Sequence, residues 1–193
     1  MTKSSQSRRF AFKRELLDAR QMRRIIRRMA GELIERQDEI ERMLLVGIRT
    51  RGVPLAERLR AEIAAMEGIE LPLGVVDITL YRDDLSTIGP HPVVKTTKLP
   101  GPVDGQVAVL CDDVLFTGRT VRAAIDELND YGRPQAVRLA VLVDRGWREL
   151  PIQADVVGAS VQTTPQELVE VGFVGTDPED AVRLLERRTE GEG

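Results

Sequence analysis

The sequence predicts one α/β domain: a mostly parallel β-sheet flanked by helices, with a flexible flap inserted. Three observations carry this. Short apolar runs alternate with amphipathic helical stretches along the chain. The runs, such as 43–48 and 107–111, are apolar at nearly every position rather than at every second one, as in strands covered on both faces. The length of 193 residues suits a single domain, and a chain of that size buries about 70% of its unfolded surface without disulfides or metals.

In chain order, Met22, Ile25, Ile26, Met29, Leu33 and Ile34 recur on one helical face, and Asp18 stands where an N-cap belongs. That wide apolar face suits either the sheet or a second subunit. Residues 43–48 then read as a buried strand, and 53–66 as a helix with Leu55, Leu59 and Ile63 on one side. Residues 75–80 are β-rich. Residues 82–104 are charged, then rich in Pro, Thr and Gly, without a period; a long irregular segment in a compact domain is usually functional or mobile, so it is read as the flap. A strand at 107–111, a helix at 119–131 and strands at 136–143, 155–161 and 168–174 follow, with a last element of undecided type at 181–185. Residues 1–12 and 189–193 are expected to fray, leaving 1–193 as one domain.

Composition removes several function classes. Hydrophobic residues at 42% and charged residues at 31% describe a globular chain rather than a disordered one. The single cysteine, Cys111, excludes a disulfide framework and Cys-rich zinc sites, and the single histidine, His91, excludes His-rich metal centres. Aromatic residues at 4% argue against a stacking platform for single-stranded nucleic acid. No run reaches the length of a membrane span, and no apolar segment backs the N-terminal Arg8-Arg9, so a cytoplasmic protein without a membrane partner is expected. The net charge of −3 is an average that hides a basic N-terminal region holding Arg8, Arg9, Arg14, Arg20, Arg23, Arg24, Arg27 and Arg28.

The sharpest signal is Asp112-Asp113-Val114-Leu115-Phe116-Thr117-Gly118-Arg119-Thr120. Two acids end a buried strand, and a Thr-Gly-x-Thr turn opens a helix. Thr117 and Thr120 offer hydroxyls, Gly118 permits close backbone approach, and the helix start offers free N–H groups and a positive dipole end, all suited to a phosphate monoester. The carboxylates of Asp112 and Asp113 suit the vicinal hydroxyls of a sugar. Either half alone would equally serve a helix cap and a tight turn; their combination at a strand's carboxyl end points to a phosphorylated ribose. Arg49-Thr50-Arg51-Gly52 also follows a buried strand and opens a helix, and its guanidiniums suit a diphosphate, with solvated turn arginines as the plainer reading.

The acidic-pair stretch resembles the phosphoribosyl-pyrophosphate (PRPP) motif of type I phosphoribosyltransferases. The resemblance narrows to the family of bifunctional pyrimidine operon regulators and uracil phosphoribosyltransferases, PyrR. It is carried by 45–52, 77–85, 112–121 and 139–146 followed by 148–152, in that order, and runs from about 18 to 160. It implies the type I phosphoribosyltransferase fold and conversion of uracil and PRPP to UMP and pyrophosphate. Implied too are Mg²⁺ held through Asp112 or Asp113, and a diphosphate loop at Thr50, Arg51 and Gly52. Ribose phosphate would be bound by Val114, Leu115, Phe116, Thr117, Gly118, Arg119 and Thr120, with Asp112, Asp113 and the flap residue Arg82 in catalytic roles. Lys95 and Lys98 are further flap cations; His91, between two prolines, reads as a loop residue. Asp144 and Arg145 would border the base, although Asp144 also suits a strand cap. In the 6-oxopurine enzymes an aspartate precedes the Thr-Gly of this loop; Phe116 stands there instead, which disfavours a purine.

The family also implies a homodimer or homotetramer that senses UMP or UTP and binds the leader RNA of pyrimidine operons. The basic N-terminal helix suits that partner, or is a solvated face. Arg27, Gly31, Trp147, Gln153 and Ala159 depart from the residues usual in the family, several of them on its RNA surface. An RNA attenuator with negligible catalysis is thus the alternative to the enzyme, and a purine phosphoribosyltransferase the third.

Overall fold

The structure, a computed structural model, describes residues 10–78 and 97–188. Four of the expected strands, β2 (Met43–Ile48), β4 (Val107–Leu115), β5 (Ala136–Asp144) and β6 (Val156–Ser160), join β3 (Leu73–Val76) in one parallel sheet. Its order is β3-β2-β4-β5-β6. The helices α1 (Ala19–Glu35) and α2 (Gly52–Glu67) lie on one face and α3 (Arg119–Asn129) on the other. Both faces are therefore apolar. Along β4, Val109 and Cys111 join the core under α1 and α2, while Ala108 and Leu110 join the core under α3.

Helix α1 starts where its cap predicts. The Asp18 carboxylate accepts the Gln21 N–H at 2.7 Å, and the Gln21 side chain accepts the Asp18 N–H at 2.8 Å. Its apolar face, Met22, Ile26, Met29 and Leu33, is buried in the core rather than offered to a second subunit. Arg20, Arg23, Arg24, Arg27 and Arg28 remain exposed. Helix α3 stops at Asn129, because the N–H groups of Asp130 and Tyr131 turn back to the carbonyls of Glu127 and Leu128.

A second, antiparallel sheet was not anticipated. Its order is β1-β8-β7, from β1 (Phe10–Leu17), β7 (Glu167–Gly172) and β8 (Ala181–Arg187). Residues 10–12 are thus a strand, not a frayed end, and the undecided last element is a strand. Register shifts between Phe12 and Arg14 and between Glu15 and Leu17 break the two-residue period that would have announced β1. Lys13 Nζ ties the sheet together, donating to Glu167 at 2.9 Å and Glu186 at 3.1 Å.

Strand β3 ends at Val76 instead of continuing to residue 80, because its partner β2 runs out at Ile48, opposite Val76. Of the expected flap, 82–96 lies outside the described residues. Residues 97–104 are tied to the domain at two points: Lys98 and Val75 exchange backbone hydrogen bonds of 2.7 and 2.8 Å, and Val103 is buried. Among the described residues, no helix is long and apolar enough to cross a membrane.

Candidate active site

The acidic pair lies inside β4, which is four residues longer than the apolar run predicts, since Asp112 and Leu115 still pair with Val141 and Asp144 of β5. Asp112 is 7% exposed, and its Oδ1 accepts the Asp113 N–H at 3.0 Å. Burial raises the Asp113 carboxyl pKa; hydrogen bonding with Asp112 and the charge of Arg51 oppose the rise.

The second turn meets the pair through glycine. An ideal Cβ on Gly52 would stand 2.1 Å from the Cys111 carbonyl oxygen and 3.3 Å from Asp112 Cα. A Cβ on Gly47 would likewise stand 2.6 Å from Val53 Cα. Only glycine at both positions lets the start of α2 lie on the sheet and bring the turn beside β4. Arg49, Thr50 and Arg51 lie in this turn, Arg51 as the N-cap of α2. Arg49 is 3.4 Å from the Asp77 carboxylate. Arg51 is engaged unexpectedly: its Nε and Nη2 donate to the two carboxylate oxygens of Asp177, at 3.1 and 3.2 Å. Asp177 belongs to the β7–β8 connection.

Gly118, at φ 91°, opens α3 as the sequence predicts and, as its N-cap, has no side chain to bond the first turn. Thr117 Oγ1 accepts the Arg119 N–H at 3.3 Å. The Arg119 guanidinium is drawn to Glu149 at 2.8 Å, and the Leu115 side chain is buried in the core, so each offers the loop backbone groups only. Val114 is partly buried against the opposite core. Thr120 and Phe116 are exposed.

The segment after β5 buttresses this loop. Glu149 and Leu150 donate backbone N–H groups to the Thr117 carbonyl at 3.0 and 3.2 Å. Arg148, missed by the sequence reading, donates to the carbonyls of Phe116, Gly146 and Ile152 at 2.9, 3.1 and 3.0 Å, and to the Asp144 carboxylate. Asp144 also accepts the Gly146 N–H at 2.9 Å, so it organises its own turn. Arg145 is 4% exposed, donates to Thr163 Oγ1 and the Thr164 carbonyl, and lies 4.1 Å from the centroid of the Phe116 ring. Burial lowers its pKa, with the charge of Glu167 opposing. Trp147, at φ 63°, donates its indole N–H to the Thr163 carbonyl at 2.8 Å. Asp144, Arg145, Trp147 and Thr163 are among the residues lining an open cavity of about 580 Å³.

The structure thus gathers Thr50, Arg51, Gly52, Asp112, Asp113, the 116–120 loop, Asp144 and Arg145 at one end of the parallel sheet. Arg82, His91 and Lys95 lie outside the described residues. Asp177 was legible only as a turn aspartate, Arg148 only as a member of a motif, and Trp147 only as a departure from the residue usual in the family.

Comparison with known proteins shows the family. The model of the phosphoribosyl transferase domain matches residues 13–174. The bifunctional protein PyrR of Thermus thermophilus is 54% identical over 176 residues, covering 91% of this chain and 97% of that protein. That of Pelotomaculum thermopropionicum is 52% identical over 174 residues, covering 90% and 96%. Among solved structures, a hypoxanthine phosphoribosyltransferase from Staphylococcus aureus superposes with a TM-score of 0.69 at 21% identity, over 91% of this chain and 92% of the other. A hypoxanthine phosphoribosyl transferase of Trypanosoma cruzi gives 0.70 at 16%, over 91% and 92%. At those identities the likeness is one of fold, and the choice of base does not follow from it. Shared sequence over nearly the whole length is another matter: the chain belongs to the phosphoribosyl transferase domain family and, within it, to the PyrR proteins.

Proposed function

We propose that the chain is a bifunctional PyrR protein. It is a uracil phosphoribosyltransferase that makes UMP and pyrophosphate from uracil and PRPP. It is also a regulator of pyrimidine operons, binding leader RNA in response to UMP or UTP. The observation that carries the reading is the convergence of three features: the Asp112-Asp113 pair, the start of α3 at Gly118, and the Arg49–Gly52 turn held against β4.

The 5′-phosphate of PRPP sits on the N–H groups and hydroxyls of 117–120, and Asp112 and Asp113 accept hydrogen bonds from the ribose hydroxyls. Thr50, Arg51 and Gly52 take the diphosphate, with Arg82 joining from the flap. Uracil occupies the cavity beside Asp144 and Arg145. A uracil ring nitrogen then forms the bond to ribose C1 and gives up its proton to water as the C1–O bond breaks, the electron pair of that bond leaving with pyrophosphate. Phe116, backed by Arg145, presents a ring where a purine N7 would seek a carboxylate.

The donor set fits Mg²⁺. Asp112 and Asp113 are adjacent hard oxygen donors, and among the described residues no cluster of three or more His, Cys, Asp or Glu could cage a metal alone. That matches an ion held by one or two carboxylates with substrate oxygens and water. When bound, the ion neutralises charge on the diphosphate.

The exposed arginines of α1 support the RNA partner. A homodimer or homotetramer accords with the family. Product formation should be measured with uracil, hypoxanthine, guanine and adenine in parallel, alongside leader-RNA binding with and without UMP. Turnover restricted to uracil, and RNA affinity that rises with UMP and falls with salt, is the expected result. RNA binding without turnover would replace the enzyme by the attenuator; turnover of a purine would overturn the choice of base.

A further inference from the structure

Arg51 presents two hydrogen-bonding edges, one from Nε and Nη2 and one from Nη1 and Nη2. Asp177 occupies the first edge in a two-point contact. No hydrogen bond from Nη1 is formed among the described residues. The two partners differ in burial: the Asp177 side chain is 6% exposed and the Arg51 side chain 31%. The carboxylate is therefore the more deeply buried partner, and the guanidinium keeps part of its surface open. Asp113, across the turn, adds its charge to the surroundings of Arg51.

Asp177 is itself held firmly. Its carboxylate accepts the Phe173 N–H at 3.2 Å, its own N–H donates to the Phe173 carbonyl at 2.6 Å, and Phe173 is fully buried in the core. Farther along α2, Arg58 makes a similar two-point contact with Asp180, at 2.9 and 2.6 Å. There the guanidinium covers the Phe173 ring at 4.9 Å, away from the site. One pair fastens the antiparallel sheet to α2; the other ends at the substrate turn.

We propose that Asp177 is a positioning residue for Arg51. It holds the Nε–Nη2 edge so that the remaining edge is presented to the diphosphate of the substrate. This rests on the reading of Arg49–Gly52 as the diphosphate turn. An arginine frozen before the substrate arrives loses no rotamer freedom on binding, and a planar fork fixed on one side meets two phosphate oxygens with the other. The antiparallel sheet, which carries none of the residues expected from the sequence, thereby contributes to the catalytic end of the parallel one.

The test uses the full chain in steady-state kinetics with Mg²⁺, together with calorimetric binding of inorganic pyrophosphate. Asp177→Asn should raise KM for PRPP and weaken pyrophosphate binding about fivefold or more, leaving KM for uracil unchanged. Combined with Arg51→Ala, it should do no further harm. Asp177→Glu should restore part of the loss. Asp180→Asn, which loosens the same connection away from the site, should lower the melting temperature comparably without moving KM for PRPP. If Asp177→Asn fails to fold, Asp177→Glu carries the same comparison, with a smaller rise in KM. Equal KM effects from the Asp177 and Asp180 variants, or an effect that adds fully to Arg51→Ala, would overturn the proposal. An unchanged KM for PRPP in Arg51→Ala would remove the diphosphate reading and the proposal together. A raised KM in Arg51→Ala with none in either Asp177 variant would remove the proposal alone.

Discussion

Alanine at Gly52 puts the placement of the diphosphate turn to a direct test. The added Cβ would lie 2.1 Å from the Cys111 carbonyl oxygen, about 0.9 Å inside the 3.0 Å that real Cβ atoms almost never cross. The obstacle is backbone, so no side chain can swing aside. It belongs to the central strand β4, hydrogen-bonded to β2 and β5, so the start of α2 must move instead. Overpacking of this kind costs about 1–3 kcal/mol. For a chain of this size, each kcal/mol lowers the melting temperature by roughly 2–4 °C. The turn that moves carries Thr50 and Arg51, and a displacement of about 1 Å in a positioning element can lower turnover about 100-fold. Thermal denaturation and PRPP kinetics measure both effects. Gly31→Ala is the matched control: a Cβ there meets nothing within 4 Å, and in mid-helix it should stabilise by about 0.5–1 kcal/mol without touching activity. A Gly52→Ala protein with unchanged melting temperature and unchanged KM for PRPP would refute the close approach and the site built on it.

Three further outcomes are expected. Burial raises the Asp113 pKa, so the folded state holds that proton more tightly than the unfolded chain, and stability falls as pH rises from the ordinary carboxylate pKa through the raised one. Asp113→Asn relieves this at neutral pH: turnover should drop at least about tenfold while the melting temperature does not fall, and a cooperative loss of stability would contradict it. Arg148→Ala strips donors from the carbonyls of Phe116, Gly146 and Ile152 and from Asp144, costing about 1–3 kcal/mol and raising KM for uracil more than for PRPP; the two Michaelis constants decide. Burial pushes the Cys111 thiol up to about 12, so native protein at pH 8 should leave a colorimetric disulfide reagent unreacted until urea unfolds it.

What sequence reasoning reached follows a physical division. Strands β2, β4 and β5 are apolar on both faces, and Asp18 with Gln21 forms a local cap, so short stretches carry their own signal. Gly118 was legible because a left-handed turn before a helix admits few other residues. β1 was not, since its bulges erase the alternation and its middle four residues face solvent. Nor was the bond from Arg51 to Asp177, whose partners are 126 residues apart and whose types are common on any surface. The length of β4 was misjudged because two aspartates look like the end of a strand; their burial is a property of the site that surrounds them.

The antiparallel sheet has a consequence for how the molecule is made. Lys13 and Glu186 meet across 173 residues of chain, and among the described residues β1 finds its one strand neighbour in β8. Translation delivers β1 before every other described element and β8 after all of them, so the strand waits for its partner with an open edge. Its charged middle, Lys13, Arg14 and Glu15, suits that wait, because charge on an unpaired strand discourages pairing with a neighbouring chain.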